Sequence, residues 1–168
     1  MKKKTFVFAT LLPVLGSVSL LGFAYYQEYV NYLDPCPLCM LQRVIVAALG
    51  LAFLLAVVVP AWRKPWRRFF AGILVLFSLT GIGVAARHVW LQSLPPDQVP
   101  DCGPGLGFMF DNYPLQDFIT KVLSGSGECA EVSWRFMGLS MPAWLVVVFS
   151  AYLVYSLWWA TRKIDCSQ

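Results

Sequence analysis

Four long apolar stretches constrain this chain more than any motif in it, because about 20 apolar residues cross the roughly 30 Å of bilayer hydrocarbon. The first runs from Phe6 to about Tyr26 without a charge. In the second, the charge-free run Val44 to Val59 reaches only about 24 Å at 1.5 Å per residue. Met40 to Arg43 and Pro60 to Trp62 complete its length, with Arg43 extending its charge toward the interface. The third covers Phe69 to Ala86, and the fourth about Met141 to Ala160, with Trp158 and Trp159 as expected interfacial anchors. The composition agrees: 58% of the 168 residues are apolar and 13% charged, against about 45–50% and about 25% in soluble domains. The expectation is an all-α membrane protein. It is a four-transmembrane-helix bundle forming a single membrane domain over 1–168, with spans at about 6–26, 43–61, 69–87 and 141–160.

Basic residues set the orientation, since the Lys- and Arg-rich side of a membrane protein stays in the cytoplasm. Lys2, Lys3, Lys4, Arg63, Lys64, Arg67, Arg68, Arg162 and Lys163 fall on one side, whereas Arg43, Arg87, Lys121 and Arg135 fall on the other. Apart from Asp165, the acidic residues lie with the second group. Both termini are therefore expected inside, and two loops, about 27–42 and 88–140, outside. The net charge of +4 is too small and too asymmetric for a nucleic-acid footprint. A cleaved signal peptide is the alternative for the first span, but its apolar run exceeds the usual 7 to 15 residues, roughly, of such a leader.

The five cysteines sort by side. Cys36 and Cys39 fall in the first outer loop, Cys102 and Cys129 in the second, and Cys166 in the inner tail. An oxidising exterior permits two disulfides among the four, while Cys166 in a reducing cytoplasm has no evident partner. Metal is not expected: the spacing argues against a structural zinc site, which usually draws on two close pairs, and His88 is the only histidine. Met40 stands where covalent haem attachment needs histidine, and a short outer loop cannot build a thioredoxin-like βαβ body. A structural staple and a redox pair both remain for Cys36-Pro37-Leu38-Cys39.

Position favours redox chemistry. Pro37 suits the first turn of a helix, so Cys36 would sit near its cap and Cys39 inside the first turn. Unpaired N–H groups and the positive end of the dipole there stabilise a thiolate. Arg43, four residues on, shares the helical face of Cys39. The bland alternative for Arg43 is a snorkelling boundary charge. In the second loop, Leu115, Phe118, Ile119, Val122 and Leu123 recur at helical spacing, which predicts a short amphipathic helix lying on the membrane or packed on the bundle. Proline and glycine from Leu94 to Gly107 predict a mobile segment carrying Cys102.

These residues carry a resemblance. Asp34-Pro35-Cys36-Pro37-Leu38-Cys39-Met40-Leu41-Gln42-Arg43 resembles the Cys-x-x-Cys-x-x-x-Arg signature of the bacterial disulfide bond formation protein B (DsbB) family. Gly127-Glu128-Cys129-Ala130-Glu131 with Trp134, Gly138-Leu139 and Met141-Pro142 are similar to the same family, so the likeness covers nearly the whole chain. Cys166 is an extra cysteine outside that pattern.

The resemblance implies an inner-membrane thiol:quinone oxidoreductase that reoxidises a periplasmic dithiol oxidase of the DsbA type. It implies that Cys102 and Cys129 meet the partner, with Cys102 the sulfur attacked. Cys36 and Cys39 would stand beside the quinone, linked to the first pair through a Cys36–Cys129 bond. It further implies Arg43 as a quinone contact and His88 as linked to the quinone site, where an incidental interfacial histidine is the alternative. The quinone would be ubiquinone or, alternatively, menaquinone. The energetics agree, since a DsbA-type oxidant at about −120 mV cannot pass electrons to glutathione near −220 to −260 mV: a gap of about 100 mV uphill costs roughly 4.6 kcal/mol for two electrons. A scaffold whose disulfides are staples, and a dedicated relative serving one specific oxidase, remain as alternatives.

Overall fold

Backbone polar groups in hydrocarbon must find partners within their own segment, and continuous helices meet that demand. The computed structural model describes residues 3–33, 35–59, 64–95, 98, 112–125, 127–132 and 134–162. Four helices long and apolar enough to span a bilayer make up most of it: α1 (Lys3–Tyr29), α2 (Pro37–Val58), α3 (Lys64–Leu91) and α6 (Met141–Thr161). Between α3 and α6 lie α4 (Leu115–Ser124), the single turn α5 (Gly127–Ala130), and a hairpin of β1 (Arg135–Phe136) and β2 (Leu139–Ser140). Cys102 and Cys166 lie outside the described residues, as does the Leu94–Gly107 segment expected to carry Cys102 except for Leu94, Pro95 and Gln98.

The helices outrun the hydropathy limits because charge ends an apolar window without ending a helix. Helix α2 starts at Pro37, as that proline's place in a first turn implies, ahead of the span expected from about residue 43, and α3 extends through Arg67, Arg68, Arg87 and His88. The expected amphipathic helix is present as α4, with Val122 buried and contacts to α2. The hairpin was not foreseen. Arg135 pairs with Ser140 and Phe136 with Leu139, and both turn residues, Met137 and Gly138, have positive φ, the pattern that matches strand twist in a two-residue hairpin.

Helix α1 packs on α2, α2 on α3 and α3 on α6. Leu38, Leu49, Phe53, Leu74, Phe149 and Trp159 fill the interior. Phe8, Leu12, Leu15, Leu76 and Val154 instead point outward, as a lipid-facing surface requires. Small residues permit the close approaches. A Cβ at Gly81 would stand 2.6 Å from the Phe149 ring, whereas one at Gly83 would meet nothing within 4 Å. Gly125, which ends α4 at φ +82°, is needed both for its backbone and because a Cβ there would strike Leu91.

Long polar side chains close the side between α6 and α1. Pro13 has no N–H, so the carbonyl of Ala9 lacks its helical donor, and the Tyr155 hydroxyl donates to that oxygen instead. Tyr152 donates to the Pro13 carbonyl at 2.9 Å and lies 2.9 Å from the Ser17 hydroxyl. The Trp159 indole donates to Thr10 at 3.2 Å. Trp159 is thus fully buried rather than an interfacial anchor; its hydrogen bond and its stacking on Phe6 turn it inward, while Trp158 stays exposed.

Overpacking costs about 1–3 kcal/mol, and replacing glycine by alanine inside a helix gains about 1 kcal/mol. Gly81→Ala should therefore lower the melting temperature in detergent and Gly83→Ala should hold or raise it. Shifts of the same sign at both positions would contradict this α3–α6 packing.

Candidate functional site

The amino end of α2 leaves backbone donors in need of acceptors, and the residue that caps it is a cysteine. Cys36 has extended backbone angles (φ −68°, ψ 162°) and its sulfur accepts the N–H of Cys39 at 3.4 Å. Pro37 occupies the first helical turn, where it gives up no hydrogen bond. The Cys36 sulfur in turn donates to the Cys39 sulfur at 2.9 Å. The cap and the dithiol are one structure.

Two further elements converge on this cap. From α3, the buried His88 brings Nε2 to 3.7 Å from the Cys36 sulfur and Nδ1 to 3.5 Å from the Gln42 amide nitrogen. From α5, the buried Cys129 places its sulfur so that it, the Cys36 sulfur and a His88 ring nitrogen all lie within 4.8 Å of one another. Residues 36 and 129, far apart in sequence, are thus within reach of direct sulfur exchange.

The field at Cys36 has opposing parts. A hydrogen bond with Cys129 favours its thiolate, but the hydrogen bond to Cys39, burial, and the negative field of Cys39 outweigh it and push the Cys36 thiol up to about 12. Cys36 therefore holds its proton at neutral pH. Cys39, partly exposed and at the helix amino end, faces the pocket.

Arg43 lies one turn beyond Cys39 but is held from α1. It forms an ion pair with Glu28, donates to the Ala24 carbonyl at 3.2 Å, and its guanidinium sits over the Tyr25 ring at 5.2 Å from the centroid. A partly exposed ion pair is worth little energy, but three simultaneous contacts fix direction. Glu28 was legible only as an outer acidic residue, and Gln42 only as a letter within the motif. Their roles depend on which helix faces which, and no spacing rule states that.

Two cavities meet here. One of about 110 Å³ is lined by Cys36, Cys39, Gln42, Arg43, His88 and Glu128 among others. The other, about 260 Å³ and almost wholly apolar, lies between α1, α2 and α6, with Leu20, Phe23, Val46, Trp144 and Val148 in its walls. Gln42, Arg43 and Trp134 line both. Phe23, Trp134, Phe136 and Trp144 form a chain of ring contacts at 5.7, 5.9 and 6.1 Å that borders the larger cavity, and the Trp144 indole donates to the Phe136 carbonyl. The hairpin thus holds an aromatic border over an apolar space that adjoins, at Gln42, Arg43 and Trp134, the smaller cavity lined by the dithiol.

Of the residues singled out by sequence, Cys36, Cys39, His88 and Arg43 line the smaller cavity, and Cys129 lies beside Cys36 and His88. Cys102 is outside the described residues. The family profile described as disulfide bond formation protein DsbB matches residues 6–159. The disulfide bond formation protein B of Nitrosococcus oceani is 51% identical over 140 residues, covering 83% of this chain and 82% of the relative. Those of Acinetobacter baylyi, at 44% over 156 residues (93% and 91% covered), and Chromobacterium violaceum, at 45% over 154 residues (91% and 92%), are similar throughout.

With its thiol pushed up to about 12, Cys36 in the reduced protein should be alkylated at a rate that climbs about tenfold per pH unit between pH 7 and 10, following its thiolate fraction. Mass spectrometry of the labelled peptide reads this. A plateau near pH 9 would show an ordinary thiol.

Proposed function

This chain belongs to the disulfide bond formation protein B family, and we propose that it is a thiol:quinone oxidoreductase of the bacterial inner membrane, which reoxidises a periplasmic dithiol oxidase of the DsbA type. The family carries a disulfide-forming redox function, and the four spans make the chain a multi-pass membrane protein. In this reading both termini are cytoplasmic and the cysteine end of the bundle faces the periplasm, following the distribution of Lys and Arg. Bacterial periplasms are kept oxidising by DsbA–DsbB–quinone relays of this kind and not by a thiol buffer.

The observation that carries the proposal is that Cys39 and Arg43 border a cavity that joins, at Gln42, Arg43 and Trp134, an apolar space between α1, α2 and α6. A flat, oil-soluble acceptor suits such a space: apolar walls and aromatic borders for the ring and tail, a guanidinium and an amide for its oxygens. When bound, a quinone supplies a two-electron, two-proton acceptor. Arg43, tied by Glu28, Ala24 and Tyr25, stabilises negative charge developing at Cys39 or at an acceptor oxygen. Gln42 offers an amide hydrogen bond beside it.

The sulfur steps balance as exchanges. A thiolate of the partner attacks Cys102 of a Cys102–Cys129 disulfide, and Cys129 leaves as thiolate. Cys129 attacks Cys36 of a Cys36–Cys39 disulfide, forming a Cys36–Cys129 bond and releasing Cys39 as thiolate beside the acceptor. The second thiol of the partner resolves its mixed disulfide with Cys102, and the freed Cys102 attacks Cys129 to restore the first pair. The partner loses two electrons and two protons, and Cys36 and Cys39 deliver them onward. Low thiolate character at Cys36 suits a sulfur that is attacked, while charge is left on Cys39.

Purified protein, a reduced periplasmic dithiol protein and a quinone should together give one quinol per disulfide formed, followed by the loss of quinone absorbance. Cys39→Ser should stop quinol formation with any dithiol. Cys102→Ser should block the protein dithiol but spare small dithiols, and equal loss with both would argue against a partner-facing Cys102. Arg43→Ala should chiefly raise the quinone KM, since a fixed guanidinium is hard to replace; unchanged quinone dependence would reduce Arg43 to a boundary charge.

A further inference from the structure

We propose that the reduced cysteine cluster at the head of α2 is a binding site for a thiophilic divalent cation of the zinc class, held by Cys36, Cys129 and His88 with Cys39 as fourth ligand. The three buried ligand atoms lie within 4.8 Å of one another. A tetrahedral site with Zn–S of about 2.3 Å and Zn–N of about 2.0 Å has ligand-to-ligand edges of about 3.5–3.8 Å. The Cys36 sulfur to His88 Nε2 distance is 3.7 Å. The Cys36 and Cys39 sulfurs, at 2.9 Å, need to part by under an ångström.

The surroundings supply what such a site needs. Gln42 stands 3.5 Å from His88 Nδ1; turning its amide to present the oxygen would let Nδ1 carry the proton and Nε2 ligate, the amide oxygen standing where a metal-bound histidine usually has a carboxylate or backbone carbonyl. The exposed Glu128 and Glu131 line the adjoining cavity of about 110 Å³, an acidic entry path for a cation. Sequence spacing concealed the set, because its ligands come from three elements.

Binding moves no electrons. The cation replaces the thiol protons of the three cysteines, which pass to water, and a chelator reverses it. Every sulfur so held is withdrawn from exchange, so the cation would arrest the relay in its reduced state; that consequence rests on the function proposed above, but the site does not.

Full-length protein in detergent, reduced and titrated with Co2+ alone, should bind one ion per chain. The thiolate-to-cobalt charge-transfer and tetrahedral d–d bands should be bleached by added Zn2+. The oxidised protein should show neither band. His88→Gln and Cys129→Ser, checked for native helical content, should each weaken Zn2+ binding tenfold or more, roughly as loss of a ligand requires. Absence of the tetrahedral spectrum, equal binding by oxidised protein, or undiminished binding by both variants, as a Cys36/Cys39 chelate alone would give, overturns the proposal. These readouts need neither quinone nor dithiol partner, so they fail or succeed separately from the relay.

Discussion

The amino end of α2 must satisfy its backbone donors, and the acceptor it uses is the sulfur of Cys36. That one interaction fixes where the chain enters the bundle, sets Cys39 one turn inside the helix, and points both sulfurs at the space shared by α2, α3 and α5. A serine or aspartate would cap as well or better, but neither exchanges electrons. The cap is at once a structural necessity and one half of the dithiol.

The rest of the bundle serves to keep that end open on one side and closed on the other. Close helix packing runs from α1 through α2 and α3 to α6. Across the remaining side, tyrosine and tryptophan side chains reach over to α1 around Pro13 and leave apolar volume nearer the dithiol. Pro13 contributes by freeing a carbonyl that only a neighbouring helix can satisfy. Polar bonds in the interior therefore hold α1 and α6 together and leave an apolar space between them.

Much of this was legible in the sequence. Four apolar runs gave the spans, Pro37 after Cys36 gave the cap, and the spacing of Leu115, Val122 and their neighbours gave α4. The limits of the spans were less accessible, because Arg67 and His88 are helical and buried although their polarity interrupts hydropathy. Trp159 was misplaced at the interface for a related reason: an aromatic at a helix end reads as an anchor unless its partners, Phe6 and Thr10, are known. The hairpin with its aromatic border, the Glu28–Arg43 pair and the Gln42–His88 contact join distant segments, and periodicity carries no information about them.

The central claim is that the cavity between α1, α2 and α6 delivers a lipid-soluble oxidant to Cys39. Irradiating the protein with a photoreactive quinone analogue and mapping the adducts by mass spectrometry tests it directly. Labelling concentrated on Phe23, Trp134, Met141 and Leu145, which border the cavity, and suppressed by excess unmodified quinone, is the expected result. Adducts confined to the opposite face of the bundle, or scattered over its lipid surface and unaffected by competitor, would contradict the account.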